Sequence, residues 1–410
     1  MLFHFDFLNW RRMIATARKE PDPAVRGYYL FILLVSVPII SSFHAVCFFL
    51  DGLLFPGLHR VRVKTPVFVV GHARSGTTLA HRLMSKDCGA GAAEGDEADT
   101  RRFSCLCLYE MYFPSLLQKK LIRAFFAFDR SALGGRVERR VRAWEDRHYA
   151  AVRAVHRMGL TEPEEDDMVL YWSCASGFWI TKMPYMGDLD FYHVDRFAPR
   201  RRRRLMRFYH DCIRRQLYLN GEDRIHLSKN PVFAGRIEAL IEEFPDARFV
   251  IPVRNPNETI PSLLKLVSSG WKRLRWDPER VSRCLRIMAD QSFHTYTYPL
   301  EVLERHPSTP HAIIDYRELS GDPASAVESI YRQLGLPMTD AYRSVLAAEA
   351  GRERGHVSGH EYSLEEFGLE ADEIRERLAP LFERFGWDDD SPAHRAAGPD
   401  TGQTSRHEVS

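Results

Sequence analysis

Short runs of β-branched and aromatic residues alternate along the chain with longer segments whose apolar residues recur at helical spacing. The clearest of these runs cover residues 66–70, 225–228, 247–253 and 311–315. Strands that alternate with helices are typical of βαβ units, which bring parallel strands into one sheet. The pattern therefore predicts one α/β domain over residues 61–387, with a mostly parallel sheet flanked by helices.

The stretch between about residues 100 and 220 is rich in aromatic residues, and we predict that it forms a mostly helical insertion. Within it, residues 201–220 carry one apolar stripe at helical spacing, at positions 205, 209, 212, 213 and 217. Residues 388–410 have no apolar periodicity, so we predict a disordered tail there.

The N-terminal residues 1–60 combine a basic lead-in with an apolar segment. Residues 28–50 are nearly all apolar and carry no formal charge, and their length is close to that needed to cross a bilayer. The lead-in would keep the N-terminus cytosolic through Arg11, Arg12, Arg18, Lys19 and Arg26. We predict membrane association through residues 28–55 at the cytoplasmic face. Because Pro38 lies at the centre of the segment, a dip into one leaflet competes with a single-pass span, and a buried core helix is the third alternative.

Composition narrows the function classes. The chain has 410 residues, of which 45% are hydrophobic, and this is enough for a large domain with its own core. Its formal net charge of +2 gives no reason to expect a nucleic-acid partner. Cys105 and Cys107 lack a second pair of ligands at zinc-site spacing, so we predict no metal site.

The segment VFVVGHARSGTTLAHRLM, residues 67–84, reads as a strand, a glycine-containing loop and a helix. Gly71 and Gly76 let the backbone curl around an anion, and the helix N-terminus adds partial positive charge. Further donors come from Arg74, Ser75, Thr77 and Thr78. ATP-hydrolysing loops of this kind have a lysine where this chain has Thr77, so the loop suits a phosphate diester or mixed anhydride better than a transferring γ-phosphoryl group.

The sequence GHARSGTTL resembles the 5′-phosphosulfate loop of sulfotransferases that use 3′-phosphoadenosine 5′-phosphosulfate (PAPS). Its Arg-Ser-Gly-Thr-Thr-Leu form is similar to that of tyrosylprotein sulfotransferases and of a large bacterial sulfotransferase group. The resemblance extends over roughly residues 65–385. It implies a P-loop-like fold whose loop holds the 5′-phosphate and leaves the sulfuryl group facing the acceptor.

The same resemblance implies a second phosphate site, with an arginine at a strand end and a serine eight residues later. In DARFVIPVRNPNETIPSLLKL these are Arg254 and Ser262, which would hold the 3′-phosphate of the nucleotide. Asn255 and Glu258 fit an N-cap and its reciprocal partner, and Pro256 fits the first position of the helix. Ligands of open α/β sheets bind at this carboxyl edge of the strands.

Candidates for the chemistry follow from the resemblance as well. Lys229, in RIHLSKNP just after a predicted strand, resembles the lysine that stabilises the transition state in the tyrosylprotein enzymes. The general base is Glu94 as first choice, Glu97 as second, or His156, whose segment HRMGLTEPEEDD resembles one in the bacterial group. The acidic residues after His156 would orient it or cap the next helix; they are Glu164, Glu165, Asp166 and Asp167.

These features together predict direct in-line transfer of a sulfuryl group from PAPS to a hydroxyl or amine, without a metal. The acceptor is expected to be a small molecule, a lipid or a glycan, and the apolar N-terminal segment favours a lipid. Two alternatives are a P-loop nucleotide or small-molecule kinase and a membrane-tethered nucleotide-binding protein without catalytic activity.

Overall fold

The computed structural model describes residues 2–87, 89, 101–153, 158–273, 276–353 and 364–390. Three residues predicted as candidate bases, Glu94, Glu97 and His156, lie outside the described residues, and so does the predicted tail from residue 391 onward.

A five-stranded sheet forms the centre of the domain. Its strands are β1 (Val67–Val69), β2 (Phe103–Ser104), β3 (Ile225–Lys229), β4 (Arg248–Val253) and β5 (His311–Asp315). They lie in the order β2-β3-β1-β4-β5, and every neighbouring pair is parallel. The predicted α/β fold is therefore confirmed. Strand β2 was not predicted, because two residues are too few to show an alternating pattern.

Helices account for most of the remaining described chain. Three precede the sheet: α1 (Phe7–Arg18), α2 (Pro23–Phe31) and α3 (Val37–Leu54). Those between β1 and β4 are α4 (Thr77–Met84), α5 (Leu108–Tyr112), α6 (Leu116–Ala132), α7 (Arg136–Arg153), α8 (Trp179–Lys182), α9 (Pro199–Asn220) and α10 (Ile237–Glu243). The rest are α11 (Pro256–Arg273), α12 (Pro278–Arg305), α13 (Tyr316–Gly321), α14 (Pro323–Leu334), α15 (Asp340–Glu353), α16 (Ala371–Arg377) and α17 (Ala379–Phe385). Short 3₁₀ turns cover Pro56–His59, Asp166–Ser173, Val194–Arg196, Pro231–Arg236, Glu365–Phe367 and Trp387–Asp390.

Helices cover both faces of the sheet. Phe68 of β1 belongs to a buried cluster with residues of α9, α10 and α12 on one face. Its neighbours Val67 and Val69 belong to a second cluster with residues of α4, α14 and α15 on the other face. Because successive strand residues point to opposite faces, a strand buried on both faces is apolar throughout, as the sequence of β1 is.

Helix α9 matches its predicted stripe, because the five predicted apolar positions are all buried: Leu205, Tyr209, Cys212, Ile213 and Leu217. Two arginines of the run at the start of α9 form contacts within the fold. Arg201 donates to the carboxylate of Asp6 over 2.8 Å, and Arg202 pairs with Glu242. These two arginines therefore tie α9 to the N-terminal segment and to α10.

The apolar segment forms one nearly continuous helical rod from Pro23 to Leu54, 32 residues long, with a mean hydropathy of 2.2 over its most apolar window. Its length and composition alone would allow it to cross a membrane. A π-helical turn, Ile32–Ser36, joins α2 to α3 immediately before Pro38. Proline has no backbone N–H and cannot donate the i→i−4 hydrogen bond of an α-helix. The wider π-helical turn lets the rod continue past Pro38 without that bond.

One side of this rod packs on the domain. Asp51 is fully buried and accepts hydrogen bonds from the backbone N–H groups of Leu116 and Leu117, at 2.9 and 2.8 Å. The same carboxylate pairs with the buried guanidinium of Arg215 over 2.7 Å. At the middle of the rod, the Ser41 hydroxyl donates to the carbonyl oxygen of Trp172 over 2.6 Å. The rod is therefore anchored along one face, and only 28% of its most apolar window is buried.

We predict that Asp51→Asn lowers the free energy of unfolding by about 3 kcal/mol, because it leaves the charge of Arg215 buried without its partner. Urea unfolding followed by circular dichroism measures this change. Asp340→Asn is the matched control, since Asp340 also pairs with an arginine but its side chain is 98% exposed; its unfolding midpoint should not move. Equal midpoints for the two variants would contradict the prediction.

Candidate active site

The loop of residues 71–76 lies between β1 and α4, with its backbone packed against two other elements. It is called the phosphate loop below, after the ligand that the sequence predicts. A Cβ atom at Gly71 would come within 2.7 Å of the carbonyl oxygen of Pro252 in β4. Gly76 has a φ of +92°, and a Cβ there would come within 2.7 Å of the ring of Tyr316. Glycine is therefore required at both positions, by space at the first and by both space and backbone conformation at the second.

The loop presents donors to a ligand at the carboxyl edge of the sheet. Ser75 is fully buried, and its hydroxyl lies near the phenol of Tyr296 without a close hydrogen bond to any described residue. Helix α4 starts at Thr77 with no side-chain cap from Gly76, so its first backbone N–H groups have no acceptor within the helix. A buried hydroxyl beside a helix N-terminus is suited to an anionic group such as a phosphate.

The two predicted anion sites meet. Arg74, inside the loop with a φ of +73°, donates through Nε to the Oγ of Ser262 over 3.1 Å. Ser262 is buried in the second turn of α11, and Arg254 lies one residue after the end of β4. The loop and the pair Arg254 and Ser262 therefore form one continuous pocket wall, although 188 residues of sequence separate Arg74 from Ser262.

Two tyrosines that the sequence did not single out hold this wall together. The ring of Tyr316 contacts the position of Gly76 and lies under the guanidinium of Arg254, 4.4 Å from Cζ to the ring centroid. The hydroxyl of Tyr296 donates to the carbonyl oxygen of Arg254 over 2.8 Å, and its ring stacks on His72 of the loop with centroids 4.9 Å apart. Tyr316 follows β5 directly, so its place after a strand was the available signal.

Arg254 has a local partner as well. Its Nε donates to the carboxylate of Glu258 over 2.8 Å, and both side chains are partly exposed. The predicted cap is confirmed in part: α11 starts at Pro256, and the Oδ1 of Asn255 accepts the N–H of Asn257 over 3.0 Å. The carboxylate of Glu258, however, binds Arg254 and does not reach back to the N-cap.

Lys229 was predicted to follow the strand, but it is the last residue of β3. The pairing with β1 continues one residue further than predicted, to Val69 and Lys229. Only 2% of its side chain is exposed. Its Nζ lies 3.8 Å from a carboxylate oxygen of Glu164 and 3.9 Å from one of Glu165. Two nearby carboxylates stabilise the positive charge of a lysine removed from water.

Asp166 and Asp167, predicted to orient His156 or to cap the next helix, both have partners in the fold. Asp166 accepts from the hydroxyl of Tyr209 over 2.6 Å and lies 2.9 Å from Nε2 of His226. Asp167 pairs with the buried Arg236 over 3.1 Å. These contacts fix the PEEDD segment against β3 and α9, and thereby hold Glu164 and Glu165 beside Lys229.

Two histidines near the loop are neutral at pH 7. Burial lowers the pKa of His72 to about 4. Burial, together with the positive charge of Lys229, lowers the pKa of His81 to about 4. His81 lies in the phosphate-loop helix, so its neutral form adds no further charge beside Lys229.

The edge of the sheet thus brings together backbone N–H groups, a buried hydroxyl, two arginines and one lysine. This set can bind two anionic groups and stabilise negative charge that develops between them. Among the residues that the structure describes, there is no group of three histidine, cysteine or acidic side chains placed to hold a metal ion.

Comparisons with known proteins identify the family. The family model described as the Sulfotransferase family matches residues 66–340. A curated relative from Mycobacterium bovis, the omega-hydroxy-beta-dihydromenaquinone-9 sulfotransferase Stf3, is 26% identical over an alignment of 365 residues; the match covers 82% of this chain and 79% of the relative. The protein of the same name from Mycobacterium tuberculosis matches equally.

Solved structures support the fold. The sulfotransferase STF9 from Mycobacterium avium aligns with a TM-score of 0.67 at 17% identity, covering 94% of this chain and 93% of that one. The sulfotransferase STF1 from Mycobacterium tuberculosis aligns with a TM-score of 0.60 at 19% identity, covering 93% and 95%. Since the family model covers well over half of the residues, this chain belongs to the sulfotransferase family.

Proposed function

We propose that this sulfotransferase takes its sulfuryl group from PAPS and passes it directly, in line, to a hydroxyl or amine of the acceptor. The observation that carries the proposal is the hydrogen bond between Arg74 and Ser262, which joins the two predicted anion sites into one wall. PAPS carries an anionic group at each of two ribose positions, so it requires two anion sites on one surface. A donor with a single phosphate chain would not need the second site.

In this proposal the loop from Gly71 to Thr78 binds the 5′-phosphate. Its backbone curls around the phosphate, and the buried hydroxyl of Ser75 supplies a further donor. Arg254 and Ser262 bind the 3′-phosphate through a forked guanidinium and a hydroxyl. The kinase alternative has no support of this kind, because position 77 is a threonine and the chain is a sulfotransferase by family.

Lys229 is proposed to stabilise the leaving phosphate. When the bond between sulfur and the bridging oxygen breaks, negative charge collects on the oxygen that stays with the nucleotide. Lys229 ends the strand next to β1, so its ammonium group belongs to the same edge as the phosphate loop. A buried cation acts strongly on such charge, because little water screens it.

The general base stays a prediction, with Glu94 first, Glu97 second and His156 as the other candidate. Its task is to accept the proton of the acceptor as the oxygen attacks sulfur. Glu164 and Glu165 are acidic residues at the same edge, and the structure places both of them beside Lys229.

The proposed acceptor is the hydroxyl of a lipid, within the wider class of small molecules, lipids and glycans. The name of the 26% identical relatives specifies an omega-hydroxy dihydromenaquinone as their substrate. The exposed apolar face of the rod from Pro23 to Leu54 gives this chain a means of approaching a lipid where it resides, and we propose membrane association at the cytoplasmic face.

We expect Arg254→Ala to weaken binding of 3′-phosphoadenosine 5′-phosphate by at least about tenfold, since it removes the charged partner of the 3′-phosphate. Isothermal titration calorimetry measures the change, with ATP titrated in parallel. ATP lacks a 3′-phosphate, so its weaker binding should change little.

Arg343→Ala is the control for loss of one positive charge, because Arg343 forms only surface ion pairs with Glu328 and Asp340. It should leave binding of the bisphosphate unchanged. Equal losses of the bisphosphate and of ATP in Arg254→Ala would refute the assignment of the 3′-phosphate site.

We expect Lys229→Met to lower the rate of sulfuryl transfer by about 10²-fold to 10³-fold, because it removes one preorganised charge from the transition state. Transfer from labelled PAPS to a membrane lipid extract measures the rate, and Lys229→Arg should restore part of it. Binding of 3′-phosphoadenosine 5′-phosphate should fall much less than the rate. A loss of binding as large as the loss of rate would place Lys229 among the nucleotide-binding groups and contradict the proposed role.

If the parent protein binds the bisphosphate tightly but transfers no sulfuryl group to any extract, the result would favour a non-catalytic nucleotide-binding protein.

A further inference from the structure

We propose that the rod formed by Pro23–Leu54 docks in the plane of one membrane leaflet that contains anionic lipids, and does not cross the bilayer. The proposal rests on the membrane association suggested above and specifies its geometry. It makes no use of PAPS chemistry, so the two can fail separately.

The exposed side of the rod is an apolar face in which Ser42 is the exposed polar residue among the described positions 28–54. Its residues recur at intervals of three and four, which places them on one side of a helix: Phe31, Val35, Ile39, Phe43, Val46 and Phe49. Their side chains are between 40% and 64% exposed. Single exposed apolar residues are ordinary on protein surfaces, but six of them on one side of a helix are typical of a surface that meets lipid or another apolar partner.

The opposite side of the rod is bound to the domain at points spread over its length. The hydroxyl of Tyr29 donates to the carbonyl oxygen of Lys182 over 2.7 Å, near the start. Ser41 bonds to Trp172 in the middle, and Asp51 pairs with Arg215 near the end. Tyr29 and Asp51 are 22 residues apart, which is about 33 Å along a helix and more than the thickness of the hydrocarbon core.

This anchoring decides against a span. A rod that crossed the bilayer while keeping these contacts would draw the globular domain into the hydrocarbon with it. Charged and polar groups on the surface of that domain would exchange water for hydrocarbon, where they would be left without partners. A rod that lies in the plane keeps both its anchors and its apolar contact.

Charge favours an anionic leaflet as the occupant over a second protein copy. Residues 2–64 contain eight lysines and arginines and four acidic residues. Three of the acidic residues, Asp6, Glu20 and Asp51, are buried and paired inside the fold. The exposed charge flanking the apolar face is therefore mainly positive, from Arg11, Arg12, Arg18 and Lys19 before it and Arg60, Arg62 and Lys64 after it. Cations at the rim of an apolar face match anionic headgroups around an apolar interior.

A second, shorter apolar row is exposed on α6. Helix α6 packs on α3, where Gln118 contacts His44 over 3.0 Å. Beyond this contact α6 exposes Leu121, Phe125 and Phe128, at intervals of four and three residues.

The test is flotation of the full chain with vesicles of phosphatidylcholine and phosphatidylglycerol. The double variant Ile39→Gln with Phe43→Gln should partition at least about tenfold less than the parent, because two apolar side chains no longer leave water. Glutamine is a good helix former and neutral, so the rod and its flanking charges are retained. Leu266→Gln is the control, since Leu266 is 48% exposed on α11, away from the rod, and it should float like the parent.

Urea unfolding midpoints equal to the parent's would show that the variants fold. Raising the salt concentration should weaken flotation of the parent, and vesicles of phosphatidylcholine alone should bind less of it. Alkaline carbonate should release the parent from cell membranes. Retention after carbonate treatment would overturn the proposal in favour of a span. Unchanged flotation of the double variant would also overturn it. A third contrary result would be that neither protein floats, while light scattering shows a dimer of the parent that the double variant does not form.

Discussion

The structure depends on one geometric constraint: parallel strands end at the same edge of the sheet. Strands β1, β3 and β4 lie side by side, and each delivers a cation or a donor loop where it ends. The loop after β1, Lys229 at the end of β3 and Arg254 after β4 are distant in sequence but are neighbours for this reason. The bond from Arg74 to Ser262 is the local result, and it is possible only because Gly71 lets the loop approach the backbone of β4. Without that approach the two halves of the pocket would not form one surface.

Much of this arrangement follows from the sequence. Four of the five strands, the start of α11 at Pro256 and the buried stripe of α9 were predicted, because each depends on spacing or on a local cap. The positions of Arg254 and Ser262 followed from one strand end and one helix start. Local chemistry is sufficient for such features, since the residues that decide them lie within about one or two helical turns.

The remainder depends on contacts that no local pattern contains. Tyr296 and Tyr316 steady the loop and Arg254 from α12 and from the end of β5. The segment of Tyr296 gives no sign of this role, and that of Tyr316 gives only its place directly after a strand. Likewise, Glu164 and Glu165 lie beside Lys229 because Asp166 and Asp167 are tied to other elements. Hydropathy alone could not decide how the rod is oriented. The informative residues were its polar ones, Ser41 and Asp51, because a polar side chain in an apolar segment indicates the face that must find a partner.

The cations of the site are also neutralised within the fold, and this bears on what the site can select. Arg254 pairs with Glu258, and Lys229 lies beside Glu164 and Glu165. An incoming anion must compete with these carboxylates for the same donors, so part of its binding free energy goes into displacing or screening them. A ligand with one phosphate gains too little at one end to do so effectively, whereas a nucleotide that occupies both anion sites gains at both ends with a single loss of translational freedom. Under the proposed function, internal carboxylates therefore favour a doubly anionic nucleotide over the abundant singly placed phosphates of the cell, and the bond from Arg74 to Ser262 supports that proposed discrimination.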